Sequence, residues 1–246
     1  MTWFEVVGIV STTALFLPVI FTVSLRLTWY KSFPALLAYY IMIFSYNFLS
    51  LQLIPAGKGF LNNYNIISNL LDAPLMLSFM TYFSKTASFR KKMKMIIPAF
   101  VLFEFLVVII KGFTLQSAVI VMAPGLLAVF CFALIFFIHQ AKITIVHQKA
   151  VGKALIVASL LFAYGGYIFI YVVYYVLKTP YKSDTFLIYY LVSIFSSLLV
   201  EAGIVYERKR VRQLTELQTA RKELKVIYGR AETKTAAPKK QPQWKV

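Results

Sequence analysis

Apolar residues in this chain run in long blocks separated by short polar connections. Each block is about the length that crosses ~30 Å of hydrocarbon as a helix. Seven are read: Trp3–Leu25, Pro34–Ile54, Asn62–Phe83, Met95–Phe113, Leu115–His139, Ala154–Leu177 and Asp184–Tyr206. The pattern predicts an all-α, polytopic membrane protein, with residues 1–206 forming a bundle of seven transmembrane helices. A basic cytoplasmic helical extension is expected over 207–229, stopping near Gly229. A disordered basic tail rich in Lys, Thr, Ala, Pro and Gln is expected over 230–246.

Polar positions inside the blocks keep helical spacing. Asn62, Asn65, Asn69 and Asp72 recur at steps of three, four and three, which stacks them on one face of span three. Span two carries Tyr40, Asn47 and Ser50 on one face, and span seven carries Tyr190, Ser193, Ser197 and Glu201. Tyr164, Tyr167, Tyr171 and Tyr174 form a column on span six. Polar faces of membrane helices turn toward the bundle interior, so an open polar cavity among spans two, three, six and seven is expected. Pro74 removes the N–H that would reach the Leu70 carbonyl, which predicts a kink and a spare acceptor beside Asp72. Pro124-Gly125 predicts a second kink, midway along span five. Gly165-Gly166 would admit a close neighbour, although its spacing is not that of a small-xxx-small helix pair.

Composition narrows the class. At 60% hydrophobic and 14% charged, the chain is too apolar for an ordinary soluble domain. The first block is too long for a signal-peptide core and has no basic residue before it, so it is read as a span. Cys131, the single cysteine, sits in an apolar run and reads as a small buried hydrophobe.

Charge adds orientation. The net charge of +17 is distributed for anionic lipid headgroups rather than for nucleic acid. The first, third and fifth connections hold Arg26 and Lys31; Lys85, Arg90, Lys91, Lys92 and Lys94; and Lys142, Lys149 and Lys153. The second, fourth and sixth hold only Lys58, Lys111, Lys178 and Lys182. Ten against four places the odd connections and the C-terminus in the cytoplasm of a cell membrane, with the N-terminus outside. Leu214, Leu217 and Leu224 in the extension allow two accounts. One is a helix lying on headgroups, and the other is pairing with a second copy or a cytoplasmic partner.

Candidate chemistry centres on buried acids. Asp72 lies near mid-membrane, where a carboxylate is costly unless paired, protonated or hydrated. Glu104, near the centre of span four, is a second such acid, whereas Glu201 reads as a boundary salt bridge with Arg208. The expected ligand-binding set is Asp72, Asn69, Asn65, Asn47, Tyr164, Tyr167, Tyr171 and Glu104. His139 and His147 have no Cys or acid cluster beside them for zinc, and no Gly-rich phosphate loop or serine elbow is present. No cofactor is expected. Retinal pigments and G-protein-coupled receptors share this topology, but span seven has no lysine to carry retinal and no Asn-Pro pair, and SKTASFRKK follows Phe83 in place of an acidic-Arg-aromatic triplet.

Three functions compete at this level. The leading one is a receptor- or sensor-like protein that binds a small molecule or lipid in the cavity and signals through its cytoplasmic face. The second is a small-solute or proton-coupled transporter that titrates Asp72 and Glu104. The third is an intramembrane lipid-modifying enzyme, set last because acids alone support few such reactions. A reporter fused after Val246 should be cytoplasmic, and one inserted between Gly57 and Asn62 should be external; both on one side would sink the seven-span topology.

Overall fold

The structure is a computed structural model that describes residues 3–51, 57–84, 86–147, 150–177 and 182–235. Within these residues the regular elements are all helical. They are α1 (Trp3–Ser24), α2 (Phe33–Ser50), α3 (Lys58–Met80), α4 (Ala87–Lys111), α5 (Leu115–His147), α6 (Val151–Tyr171) and α7 (Lys182–Thr235). A 3-10 turn (Thr81–Phe83) closes α3, and a π-helical turn (Val172–Val176) closes α6. All seven helices are long and apolar enough to cross a membrane. The expected end of span two at Ile54, the basic residues Lys85, Lys149 and Lys178, and the tail over 236–246 lie outside the described residues.

Helix ends follow local chemistry. Thr86 caps α4 by accepting from the Phe89 N–H at 3.2 Å. Gly112 ends the same helix at φ +76°, a backbone conformation that costs glycine little. Thr114 and Ser117 exchange hydrogen bonds across the first turn of α5. Two ends depart from expectation. The α5 helix runs past His139 to His147, and α7 runs past Gly229 to Thr235. A glycine inside a helix costs only ~1 kcal/mol relative to alanine, too little to stop one whose neighbours favour it. Likewise α3 is continuous through Pro74 and α5 through Pro124.

The chain divides within α7 into two compact units, Met1–Glu207 and Arg208–Val246. In the first, α3 is the central helix: 56% of its most apolar stretch is buried, against 11% for α4. It packs on α2, α4 and α5, while α5 packs on α6 and α1 on α2. The core is densest where α3 ends. There Phe33, Phe79, Tyr82 and Phe83 meet in edge-to-face contacts with centroids 5.3–5.6 Å apart. The outward sides are apolar. Leu102, Phe105, Leu106, Ile109 and Ile110 of α4 all stand exposed, a surface suited to lipid rather than water. Cys131 is exposed on α5, on the apolar side rather than in the core. In the second unit, Arg212 and Glu216 form an exposed ion pair at 2.9 Å, and Leu214, Leu217 and Leu224 are exposed.

Helices α6 and α7 are held by small residues at heptad spacing. A Cβ added to Gly152 would meet the Glu207 nitrogen at 2.5 Å and the Gly203 oxygen at 2.7 Å. One heptad on, Ser159 donates to the Ser196 carbonyl at 2.7 Å. One more heptad on, Gly166 lies so close to Val192 that a Cβ would sit 2.7 Å from its side chain. Gly166 therefore admits a neighbour from the same chain. Gly152→Leu should lower the melting temperature in detergent by the equivalent of ~1–3 kcal/mol or more, because backbone atoms cannot give way. Gly57→Ala, where a Cβ meets nothing, should stay within about 0.5 kcal/mol. Equal melting of the two variants would refute close backbone packing at the α6–α7 crossing.

Candidate functional site

Asp72 organises one end of the bundle. Its Oδ1 accepts a hydrogen bond at 2.9 Å from the hydroxyl of Tyr164 on α6. Tyr39 of α2 interacts with both Asp72 and Tyr164. Three helices therefore meet at one carboxylate. Above it the asparagine stripe bonds to itself: Asn69 Nδ2 donates to both the carbonyl and the Oδ1 of Asn65, each at 2.9 Å. Asn47 of α2 donates from Nδ2 to the Ile43 carbonyl at 2.9 Å and to the Tyr189 hydroxyl at 3.2 Å.

These groups border a cavity of about 400 Å³. Tyr39, Asp72 and Leu126 lie deepest, and Ser50, Leu115 and Phe186 stand at or near the ends of their helices. The cavity thus runs from Asp72 to the bundle end where α2 finishes and α3 begins. Its walls carry eight tyrosines: Tyr39, Tyr46, Tyr167, Tyr171, Tyr174, Tyr175, Tyr189 and Tyr190. Tyr167 stacks on Tyr189 with centroids 5.9 Å apart, and Tyr171 is tied to the Val119 carbonyl of α5 at 3.3 Å.

Local backbone geometry sets part of this wall. The Leu177 N–H bonds to the Val172 carbonyl at 2.9 Å, the five-residue span of a π turn. Both Tyr174 and Tyr175, consecutive residues, line the cavity from this widened turn. Spacing alone puts Tyr174 in the column with Tyr164, Tyr167 and Tyr171, and leaves Tyr175 off that face.

Of the expected set, Asp72, Asn69, Asn65, Asn47, Tyr167 and Tyr171 line the cavity, and Tyr164 joins it through Asp72. Glu104 does not. It is buried on α4 with Oε1 lacking a hydrogen-bond partner, and it interacts with Asp72 without lining the cavity itself. Asn62 is exposed, and Tyr40 is buried without reaching the cavity. The cavity also draws on α5, through Leu115, Met122 and Leu126, in addition to spans two, three, six and seven. Glu201 departs from the boundary reading: its Oε1 is buried with no hydrogen-bond partner, and it interacts with Tyr40. Two turns of helix, ~10 Å, separate positions 201 and 208, too far for the direct pairing of residues three or four apart.

Sequence spacing missed Tyr39, Tyr46, Ser68 and Tyr189. The signal was present in span two, where Tyr39, Tyr46 and Ser50 share a face with Asn47. Ser68 lines the cavity, 9% exposed, and its hydroxyl has no hydrogen-bond partner.

A second polar group sits at the opposite end. The hydroxyl of Tyr82 donates to Glu207 Oε1, and Glu207 is fully buried. Lys153 Nζ lies 4.4 Å from the centroid of the Tyr82 ring, and Lys31 Nζ lies 5.6 Å from it. Among the described residues no group of three or more His, Cys, Asp or Glu could hold a metal ion. Comparison of the chain with protein-family models, with curated proteins and with solved structures finds no match.

The Tyr164–Asp72 bond can be weighed by a double-mutant cycle. Tyr164→Phe should cost about 1–3 kcal/mol of stability, because a buried carboxylate loses a donor. In an Asp72→Leu background the same change should cost close to nothing, and Asp72→Leu alone should still fold. Equal costs of Tyr164→Phe in the two backgrounds would show that the hydroxyl does not serve Asp72.

Proposed function

We propose that this chain is an integral protein of a cell membrane, N-terminus outside and C-terminus cytoplasmic, that acts as a receptor- or sensor-like binding module. A small molecule or lipid occupies the cavity above Asp72, and occupancy is signalled at the cytoplasmic face. The observation that carries this reading is the cavity itself: about 400 Å³, with convergent polar groups on an aromatic wall. Small-molecule sites typically measure ~300–1,000 Å³ and have this mixture of surfaces. The exposed apolar sides support placement in lipid, and the ten-to-four basic bias supports the orientation.

Under that orientation the cavity faces outward with Asp72 near its floor. Met76, Phe79, Met80 and Phe83, all at most 2% exposed, fill the helix beyond it, which favours reception over passage. The α3 helix supplies the connection. Tyr82 lies ten residues beyond Asp72, a rise of ~15 Å, and meets Glu207 of α7 beneath Lys153 of α6. A ligand that shifts Asp72 against Tyr164 bears on α3 and α6, both of which reach the Tyr82–Glu207 contact. Of the 26 Lys and Arg residues, twelve follow Glu207. Anionic headgroups attract such residues by ~1 kcal/mol each, so this segment is read as docked on the cytoplasmic leaflet, with self-pairing through Leu214, Leu217 and Leu224 as the rival.

Proton-coupled carriage is the second reading, favoured by the buried, unpartnered Glu104 Oε1. Two measurements separate the readings. Native mass spectrometry of the protein taken from its own membranes should show a bound small molecule that Ser68→Trp, which fills the cavity, removes. Liposomes containing the protein should pass protons no faster than empty ones. Absence of any bound molecule would refute the receptor reading, and a proton flux that Glu104→Gln abolishes would establish the carrier.

A further inference from the structure

We infer that the cavity is built for a small organic cation, an ammonium group carried on a short apolar or aromatic body. This rests on the reading of the cavity as a ligand site and names the chemistry of its occupant. Three observations point the same way.

The first is charge. Among the described lining residues Asp72 is the single acid, and no Lys, Arg or His accompanies it. Its neighbours Tyr164 and Tyr39 are neutral hydroxyls, which share the negative charge without cancelling it. A carboxylate at the foot of a cavity walled by protein attracts a cation more strongly than it would in bulk water.

The second is the direction of the hydrogen bonds. Asn69 and Asn47 both turn Nδ2 into the protein, so their donors are spent on Asn65, Ile43 and Tyr189. The side-chain oxygens of Asn69 and Asn47 are left as acceptors. Ser68 adds a buried hydroxyl without a partner at the same wall. Tyrosine hydroxyls, Ser68 and the Asn65 amide can donate too, so the wall is mixed, but the two free asparagine oxygens beside Asp72 give a ligand's N–H groups places to bond.

The third is the wall. Eight tyrosines and Phe186 line it, and the negative quadrupole of an aromatic face attracts alkylammonium groups, most strongly when the ion is desolvated. Small metal ions lose by comparison, because they require several oxygen ligands to replace their water and the walls here are mainly rings. An anionic metabolite loses on charge, against Asp72, and on the negative faces of the rings.

The test uses the purified full-length protein in nanodiscs and matched probes. Choline is set against dimethylbutanol, in which carbon replaces the charged nitrogen. Tyramine is set against ethylphenol and hydroxyphenylacetate. Calorimetry should show at least one cation binding about tenfold or more tightly than its neutral or anionic counterpart. Asp72→Asn, which keeps an oxygen for Tyr164 to donate to, should erase that preference while the protein still melts cooperatively, and Ser68→Trp should abolish binding. A neutral or anionic probe that binds as tightly as its cation, and loses binding in Ser68→Trp, would overturn the cation assignment and leave the cavity reading standing. Binding by no probe would overturn the assignment too. If native mass spectrometry also finds nothing bound, the cavity reading falls with it.

Discussion

Moving a carboxylate from water into apolar surroundings costs several kcal/mol unless donors or water replace its hydration. Asp72 meets that demand with a hydroxyl from α6, the neighbouring Tyr39 of α2, and a cavity that keeps the site open at one end. The requirement reaches beyond one residue. For Asp72 to be served, α3 must lie between α2 and α6 with its asparagine face turned the same way. That placement makes α3 the most buried helix and leaves α4 outside, with its apolar sides exposed. The cavity is the space that five helices leave beside that polar residue without closing over it.

At the opposite end the balance is reversed. Phenylalanine and methionine close the space between helices, and Tyr82, Glu207 and the two lysines over the ring gather into one polar constellation. The α6–α7 crossing belongs to this end, because Gly152 and Gly203 let the two backbones come close enough to bring Glu207 beside Tyr82. Without side chains between them, the helices gain dispersion contacts along the backbone. A loose, polar, aromatic end and a dense, locked end share α3 and α6. That arrangement gives the proposed sensor a physical form: one half can accept an occupant, while the other holds the contact that registers it.

Helix number, approximate bounds and the polar face of α3 were legible in the sequence, because they depend on runs and spacings within one segment. Hydrophobic blocks specify length, and residues three and four apart specify a face. Asp72, Asn69, Asn65, Asn47, Tyr167 and Tyr171 could be named together on that basis. What spacing cannot express is which neighbour a face meets. Glu104 carried the same chemical signal as Asp72, yet α4 packs at the side of the bundle, and its carboxylate does not reach the cavity. Tyr175 joins Tyr174 on the wall from a π turn, a change of helical pitch that residue spacing does not announce. Tyr164, Tyr82 and Glu207 became a floor and a lock only because α2, α3, α6 and α7 meet where they do. Contacts within a helix are set by local geometry and so are written in the order of residues. Contacts between helices are set by the packing of the whole bundle, and here that packing decided which buried acid faces a cavity and which does not.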